Sequence, residues 1–257
     1  MISRIASLLF AAAFAAVATA GEQVATYRGE GEAARFFDQY DNDGYSLAVA
    51  SGAGGSIELS VRVSDSPLAS RAPFPTGLPR DVALPRAPDR DLFVQTAVRG
   101  AVSQAGAVER ILSSLAALVR YDPDRVRRQD PAAVFAGRQA NCVGLSELAV
   151  DLLRRAGIRA RTVQGVLKGR PGTTGYDPDI GGAYHRWIEV HYPDRGFVFS
   201  DPSASVNGVD ARYLPFGRRA LSRPRALFVD SLTFSGELAY EPLRAGGTTL
   251  RVRASAR

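Results

Sequence analysis

The period of the apolar residues changes once between Asn141 and Leu167, and the change marks the centre of the chain. Leu145, Leu148, Ala149, Leu152 and Ala156 recur at i, i+3, i+4, i+7 and i+11, the spacing of one helical stripe. Glu147, Asp151, Arg154 and Arg155 take the polar side, with Asp151 and Arg155 spaced for an i, i+4 ion pair. Gly157 stands where a left-handed cap is needed, and Ile158 can supply its apolar contact. Arg159 to Leu167 then has the composition of a strand. The pattern predicts a helix that opens at Cys142 and feeds a strand.

The same reading orders the rest of the chain. Ile57, Leu59, Val61 and Val63 alternate with Glu58, Ser60 and Arg62. With Tyr45–Ser51 and the intervening glycines they predict a half-buried hairpin. Asp41-Asn-Asp-Gly44 reads as a turn, because Gln39 and Ala50 occupy the positions where a calcium loop needs its ligands. Glu32 to Tyr40 is read as one short helix, and the proline-rich stretch 65–89 as a connecting segment over the surface. Helices are expected over Asp91–Ser103 and Ala107–Arg120, the second carrying the stripe Val108, Ile111, Leu112, Leu115 and Val119. Asp130 before Pro131 starts a further short helix. Gly169–Ala183 is a long glycine-rich loop. His185–His191 and Gly196–Ser200 are strands, and Val206–Phe216 is a wrapping loop or short helix. From Ser222 the pattern is β again. Its tail Gly246–Arg253 faintly echoes Gly54–Arg62, which suggests strands of one accessory sheet.

Composition narrows the setting. The net charge of +6 is almost all arginine, scattered beside acids, and no nucleic-acid-binding module accompanies it. No nucleic-acid partner is expected; an anionic envelope polymer is a softer candidate partner. Arg4, the apolar run Ile5–Val17 and Ala18-Thr19-Ala20 form an export signal with an A-x-A cut, too short for a span. The mature protein is expected to be periplasmic or secreted, without stable membrane insertion. The organisation expected is a signal peptide over 1–20, a β-rich region and linker over 21–89, a core over 90–221 and a C-terminal β region over 222–257.

Export changes the meaning of Cys142. It is the sole cysteine, so it can form no internal disulfide. It is either a reactive thiol or an inert buried one. A thiol nucleophile needs a base and a group to orient that base. There are two histidines, His185 and His191. A three-residue loop Tyr192–Asp194 would pair Glu189 with Phe197, Trp187 with Phe199, and His185 with Asp201. His185 and Asp201 would then share a face within hydrogen-bond reach. His191 is read as a strand-end polar residue. A helix N-terminus favours a thiolate at Cys142. No zinc-type ligand spacing is present, so no metal and no cofactor are expected.

Three blocks carry a resemblance to the bacterial transglutaminase-like superfamily, related in core layout to papain-like cysteine proteases. They are Asn141-Cys142 with the helix to Ile158 and Ala160-Arg161, then Tyr184-His185-Arg-Trp-Ile-Glu-Val190, then Phe199-Ser-Asp201-Pro202. The resemblance implies an α+β fold, with a cysteine helix packed on an antiparallel sheet and β-rich flanks at both ends. It implies a catalytic triad of Cys142, His185 and Asp201 and a thioester intermediate on a peptide, protein or envelope-polymer amide. One departure is Ala140, where the family usually has glycine. Gln139 and Tyr121 are candidate oxyanion donors. Arg186 and Trp187 are candidate cleft residues, with a core position under the sheet as the other reading of Trp187. Hydrolysis and amine transfer both remain open. So does a different class of function, a non-catalytic binding or assembly module that works through its β-rich flanks.

Overall fold

The structure is a computed structural model that describes residues 21–30, 36–75, 84–122, 128–168, 182–217, 233–235, 248–250 and 253–254. The export signal lies outside them. So do most of the glycine-rich loop, residues 123–127, the first part of the stretch expected as a Glu32–Tyr40 helix and most of the C-terminal region; the described end of that stretch forms no α-helix, and Tyr40 opens a strand instead.

The chain opens with β1 (Glu22–Glu30), β2 (Tyr40–Asn42), β3 (Tyr45–Ser51) and β4 (Ile57–Ser64). β3 and β4 form the hairpin that alternation predicted, with Tyr45 and Leu47 of β3 and Leu59, Val61 and Val63 of β4 buried. Gly54 and Gly55 turn it with φ of 67° and 81°, a region that penalises a side chain.

Helices follow. α1 spans Pro88–Ala97 and α2 spans Gln104–Leu118, both starting three residues earlier than the apolar pattern suggested. The reason at α2 is its cap: the Ser103 hydroxyl accepts from the Gly106 N–H at 3.2 Å. Next come β5 (Arg120–Tyr121), α3 (Pro131–Gly137), β6 (Gln139–Ala140) and α4 (Cys142–Arg155). α3 is capped by Asp130, whose carboxylate accepts from the Ala133 N–H at 3.0 Å. α4 buries Leu145, Leu148, Ala149 and Leu152, and Gly157 ends it at φ 77°. Its polar side is not all solvent-facing. Arg155 is buried and donates to Asp151 and, at 2.9 Å, to Asp91 of α1, so the pair is a clamp between two helices.

β7 (Ala160–Lys168), β8 (Gly182–Tyr192), β9 (Gly196–Ser200), β10 (Ser205–Val206) and β11 (Tyr213–Pro215) complete the central part. The antiparallel order β11-β7-β8-β9 makes the central sheet. Val206–Phe216, expected as loop or helix, therefore contains an edge strand of that sheet, with Tyr213 opposite Leu167.

The sheet is buried on both faces. Ile188, Val190, Tyr192 and Val198 join α2 and α4 in one core. Val163, Trp187 and Phe199 join Tyr27, Tyr45, Leu59 and Val61 of the N-terminal sheet in the other. The architecture is α+β, with helices on one side of an antiparallel sheet and a second sheet on the other. β12 (Thr233–Ser235) extends the N-terminal sheet beside β1. The tail does not: β13 (Thr248–Thr249) pairs with β10, and β14 (Arg253–Ala254) runs parallel to β5. The resemblance between the tail and Gly54–Arg62 is one of strand composition, not of shared sheet.

Candidate active site

α4 begins at Cys142 because Asn141 caps it. The Asn141 Oδ1 accepts from Val143 N–H at 3.0 Å and Gly144 N–H at 3.3 Å. The cap leaves the Cys142 N–H out of its hydrogen bonds. Gln129 Oε1 accepts from the Asn141 N–H at 3.1 Å and lies where a side chain at Gly144 would be, so glycine is required there by space.

One turn further on, α4 is fastened to β8. Ser146 Oγ donates to the Arg186 carbonyl at 2.9 Å, and Arg186 Nη1 donates to Glu147 Oε1 at 2.7 Å. A helical turn of four residues rises about 6 Å, and two residues of strand advance about 6.7 Å. The staple at Ser146 therefore sets Cys142 beside the strand just before Arg186. There the thiol meets the Arg186 N–H and the His185 ring.

His185 is 2 % exposed. Its Nε2 lies 2.7 Å from Asp201 Oδ2. Its Nδ1 is buried with no hydrogen-bond partner among the described residues, and besides Asp201 the Cys142 thiol is the titratable group that acts on the ring. Trp187 stacks beside the ring at 6.1 Å with planes 20° apart. Across the β7–β8 ladder is Gly165, where a Cβ would overlap the Leu214 carbonyl oxygen and come within 2.5 Å of Trp187 Cη2.

The pairing of β8 with β9 differs from the expected register. Tyr192 pairs with Gly196 and Glu189 with Phe199, so the three-residue loop is Pro193–Arg195, one residue later than supposed. Gly196 explains the shift: its φ of 78° suits the position just past the turn. The slip is two residues between partners, which preserves the face. His185 and Asp201 are therefore diagonal neighbours, within reach of a histidine side chain.

Asp201 is fully surrounded by donors. Oδ2 takes His185 and the Tyr213 hydroxyl, each at 2.7 Å. Oδ1 takes Ser203 N–H at 2.8 Å and Ser203 Oγ–H at 2.6 Å. Burial pushes this carboxyl up, but the His185 charge and hydrogen bond, with Ser203 and Tyr213, outweigh it and hold it down at about 2. Burial likewise works against a charged His185, yet Asp201 raises it to about 10. At Cys142 burial raises the thiol, and the His185 hydrogen bond and charge with the Arg186 N–H lower it, for a net fall below 9.0. The arrangement suits a thiolate–imidazolium pair at neutral pH.

The other sequence candidates are placed as follows. Trp187 is fully buried in the core under the sheet, between Phe199 and Tyr213, and is not a cleft residue. Tyr121 and Gln139 sit on the parallel β5–β6 pairing that leads into α4, and Gln139 Nε2 donates to Asp122 at 2.9 Å. His191 lies at the far end of β8 with its ring edge against Phe197. Tyr213, Ser203 and Ser146 escaped the sequence reading. Ser203 had a signal in the Asp201-Pro-Ser spacing of an Asx turn; Tyr213 had none, being brought in by a strand edge.

A sole cysteine at a helix start, a histidine on the adjoining strand and a buried aspartate define a thiol-centred site on an α+β core. The family profile described as Transglutaminase-like superfamily matches residues 92–202, and this segment of the chain is similar to that superfamily. Solved structures similar to the chain include a candidate cysteine protease from Cytophaga hutchinsonii, at 14% identity, covering 84% of each chain with a TM-score of 0.41. The periplasmic domain of TgpA from Pseudomonas aeruginosa is 15% identical over 71% of this chain and 90% of that one, with a TM-score of 0.39. No curated protein matches the chain.

The two depressed and raised groups make a pH prediction. His185 is raised, so its contribution to stability is complete below its ordinary 6.5 and is lost as pH climbs through about 10. Asp201 is depressed, so its contribution is present above 3.8 and is lost as pH falls through about 2. The gap in thermal midpoint between the native protein and Asp201→Asn should be widest between these windows and close towards strongly alkaline pH. A gap that stays constant to alkaline pH would show that the pair is not ionised.

Proposed function

We propose that the protein is an exported thiol acyl hydrolase that opens amide bonds of peptides, proteins or envelope polymer through a thioester on Cys142. The observation that carries this reading is the buried His185–Asp201 hydrogen bond of 2.7 Å, with Cys142 and His185 each acting on the other's ionisation. The transglutaminase-like fold agrees with it, since thiol acyl chemistry is common among such proteins.

Cys142, as thiolate, attacks the amide carbonyl carbon, and a C–S bond forms. The carbonyl oxygen gains the negative charge and is met by the Cys142 N–H, which the Asn141 cap leaves unused. Protonated His185 gives its proton to the amide nitrogen, the C–N bond breaks and the amine leaves. His185 then accepts a proton from water, whose oxygen attacks the thioester carbon. The C–S bond breaks, the acid departs and the thiolate returns. Asp201 keeps the ring in the tautomer that points Nδ1 at the thiol. Proton transfer of this kind contributes about 10²–10⁴-fold. Hydrolysis is preferred over amine transfer because nothing in the sequence marks a dedicated amine site.

Two measurements check the chemistry together. Intact-mass labelling with iodoacetamide should modify Cys142 far faster than a model thiol at neutral pH, and Asp201→Asn should slow it by about tenfold or more. An ordinary rate that Asp201→Asn leaves unchanged would favour a binding module without turnover. With a fluorogenic peptide, free acid should dominate even when a primary amine is added. Predominant amine incorporation would make the protein a transferase instead.

Export rests on Arg4, the apolar run Ile5–Val17 and Ala18-Thr19-Ala20. Among the described residues no helix is long and apolar enough to cross a membrane. Expressed with its first residues in a bacterium, the chain should be recovered from the periplasm or medium starting at Gly21. Recovery uncleaved in the membrane fraction would overturn this.

A further inference from the structure

The acid of the site is held from a direction that the triad does not explain. Asp201 Oδ2 serves two donors at the same distance, His185 and the Tyr213 hydroxyl, each 2.7 Å away. Tyr213 is 1 % exposed, and its ring also stands edge-on to Trp187 at 5.4 Å and to His185 at 5.9 Å. The segment that carries Tyr213 is fixed by the N-terminal sheet. Tyr45 of β3 donates its hydroxyl to the Tyr213 carbonyl at 2.5 Å. Tyr27 of β1 donates to the Ala211 carbonyl at 3.0 Å. All three tyrosine hydroxyls are buried, so none is a surface contact that water could replace. The same sheet reaches β8 separately, where Asn42 Nδ2 donates to the buried Glu189 at 3.1 Å.

We propose that Tyr213 is a positioning residue for the site, and that the N-terminal sheet sets its place through Tyr45 and Tyr27. Resting on the acyl-transfer reading, this assigns the sheet a part in organising the active site rather than in holding a partner. A carboxylate has a plane, and His185 Nε2 meets it well only when that plane is fixed. Ser203 holds one oxygen; Tyr213 and His185 share the other. Without the hydroxyl, Oδ2 keeps one donor and the carboxylate can turn about its Ser203 anchor. The imidazolium then loses a fixed partner, and the thiolate that depends on it loses stabilisation. The sign is definite: Cys142 should lose its proton at higher pH.

Phenylalanine separates this from plain packing, because it keeps the ring and removes the oxygen. The test is the rate of Cys142 alkylation by iodoacetamide against pH, with thermal midpoints measured alongside, for the native protein, Tyr213→Phe and Tyr45→Phe. Tyr213→Phe should move the rate profile to higher pH and lower the rate at mildly acidic pH by about tenfold, one pKa unit's worth. Tyr45→Phe should move it in the same direction by less. A purely structural role would lower the thermal midpoint and leave the profile in place, and that result in both variants overturns the proposal. A shift in Tyr213→Phe with none in Tyr45→Phe overturns the part given to the sheet. If the native protein itself titrates as a free thiol near about 8.5, the acyl-transfer reading has failed and the inference falls with it.

Discussion

A carboxylate can be taken out of water only if donors replace the water, and Asp201 shows how much structure that takes. It is 1 % exposed and accepts four hydrogen bonds, from His185, Tyr213 and twice from Ser203. An unpaired buried charge would neutralise itself by a pKa shift. Here the donors drive the carboxyl the other way, to about 2, and the charge on His185 is the largest of the opposing influences. Charged Asp201 in turn holds the proton on His185, and charged His185 lowers the thiol. The three ionisations are one event distributed over β9's end, β8 and the start of α4.

The fold supplies each partner from a different element. The Asx turn at 201–203 comes from the chain leaving β9, while Tyr213 comes from the far edge of the same sheet. The thiol is delivered by a helix whose first turn is capped by Asn141 and whose second is stapled to β8 by Ser146 and Glu147. Both faces of the central sheet are covered: the helices that bring Cys142 pack on one, and the N-terminal sheet packs on the other.

Much of this was legible in the chain. Periodicity located α4 to its first residue, because capping by Asn141 and the Gly157 stop leave little freedom at either end. Strand alternation put His185 and Asp201 on one face, and that survived a wrong register because the error was two residues. The loop itself was misplaced by one residue, since Tyr192 was read into it, whereas Tyr192 still pairs with Gly196, the left-handed first residue of β9. Tyr213 and β11 were invisible for a different reason. A three-residue edge strand has too few positions to show a period, and its partner, β7, lies nearly fifty residues away in sequence, with Tyr213 opposite Leu167. Trp187 was ambiguous because an aromatic beside a reactive histidine can face either a cleft or a core; only the packing of Phe199 and Tyr213 around it decides.

The central claim is the charge state of His185, and the imidazole nitrogens report it directly. The chain has two histidines, so His191→Gln leaves one ring to observe. In that variant, ¹⁵N chemical shifts at neutral pH should show His185 protonated at both nitrogens, losing a proton only at strongly alkaline pH. A ring that is neutral at pH 7 and titrates near its ordinary 6.5 would contradict the account.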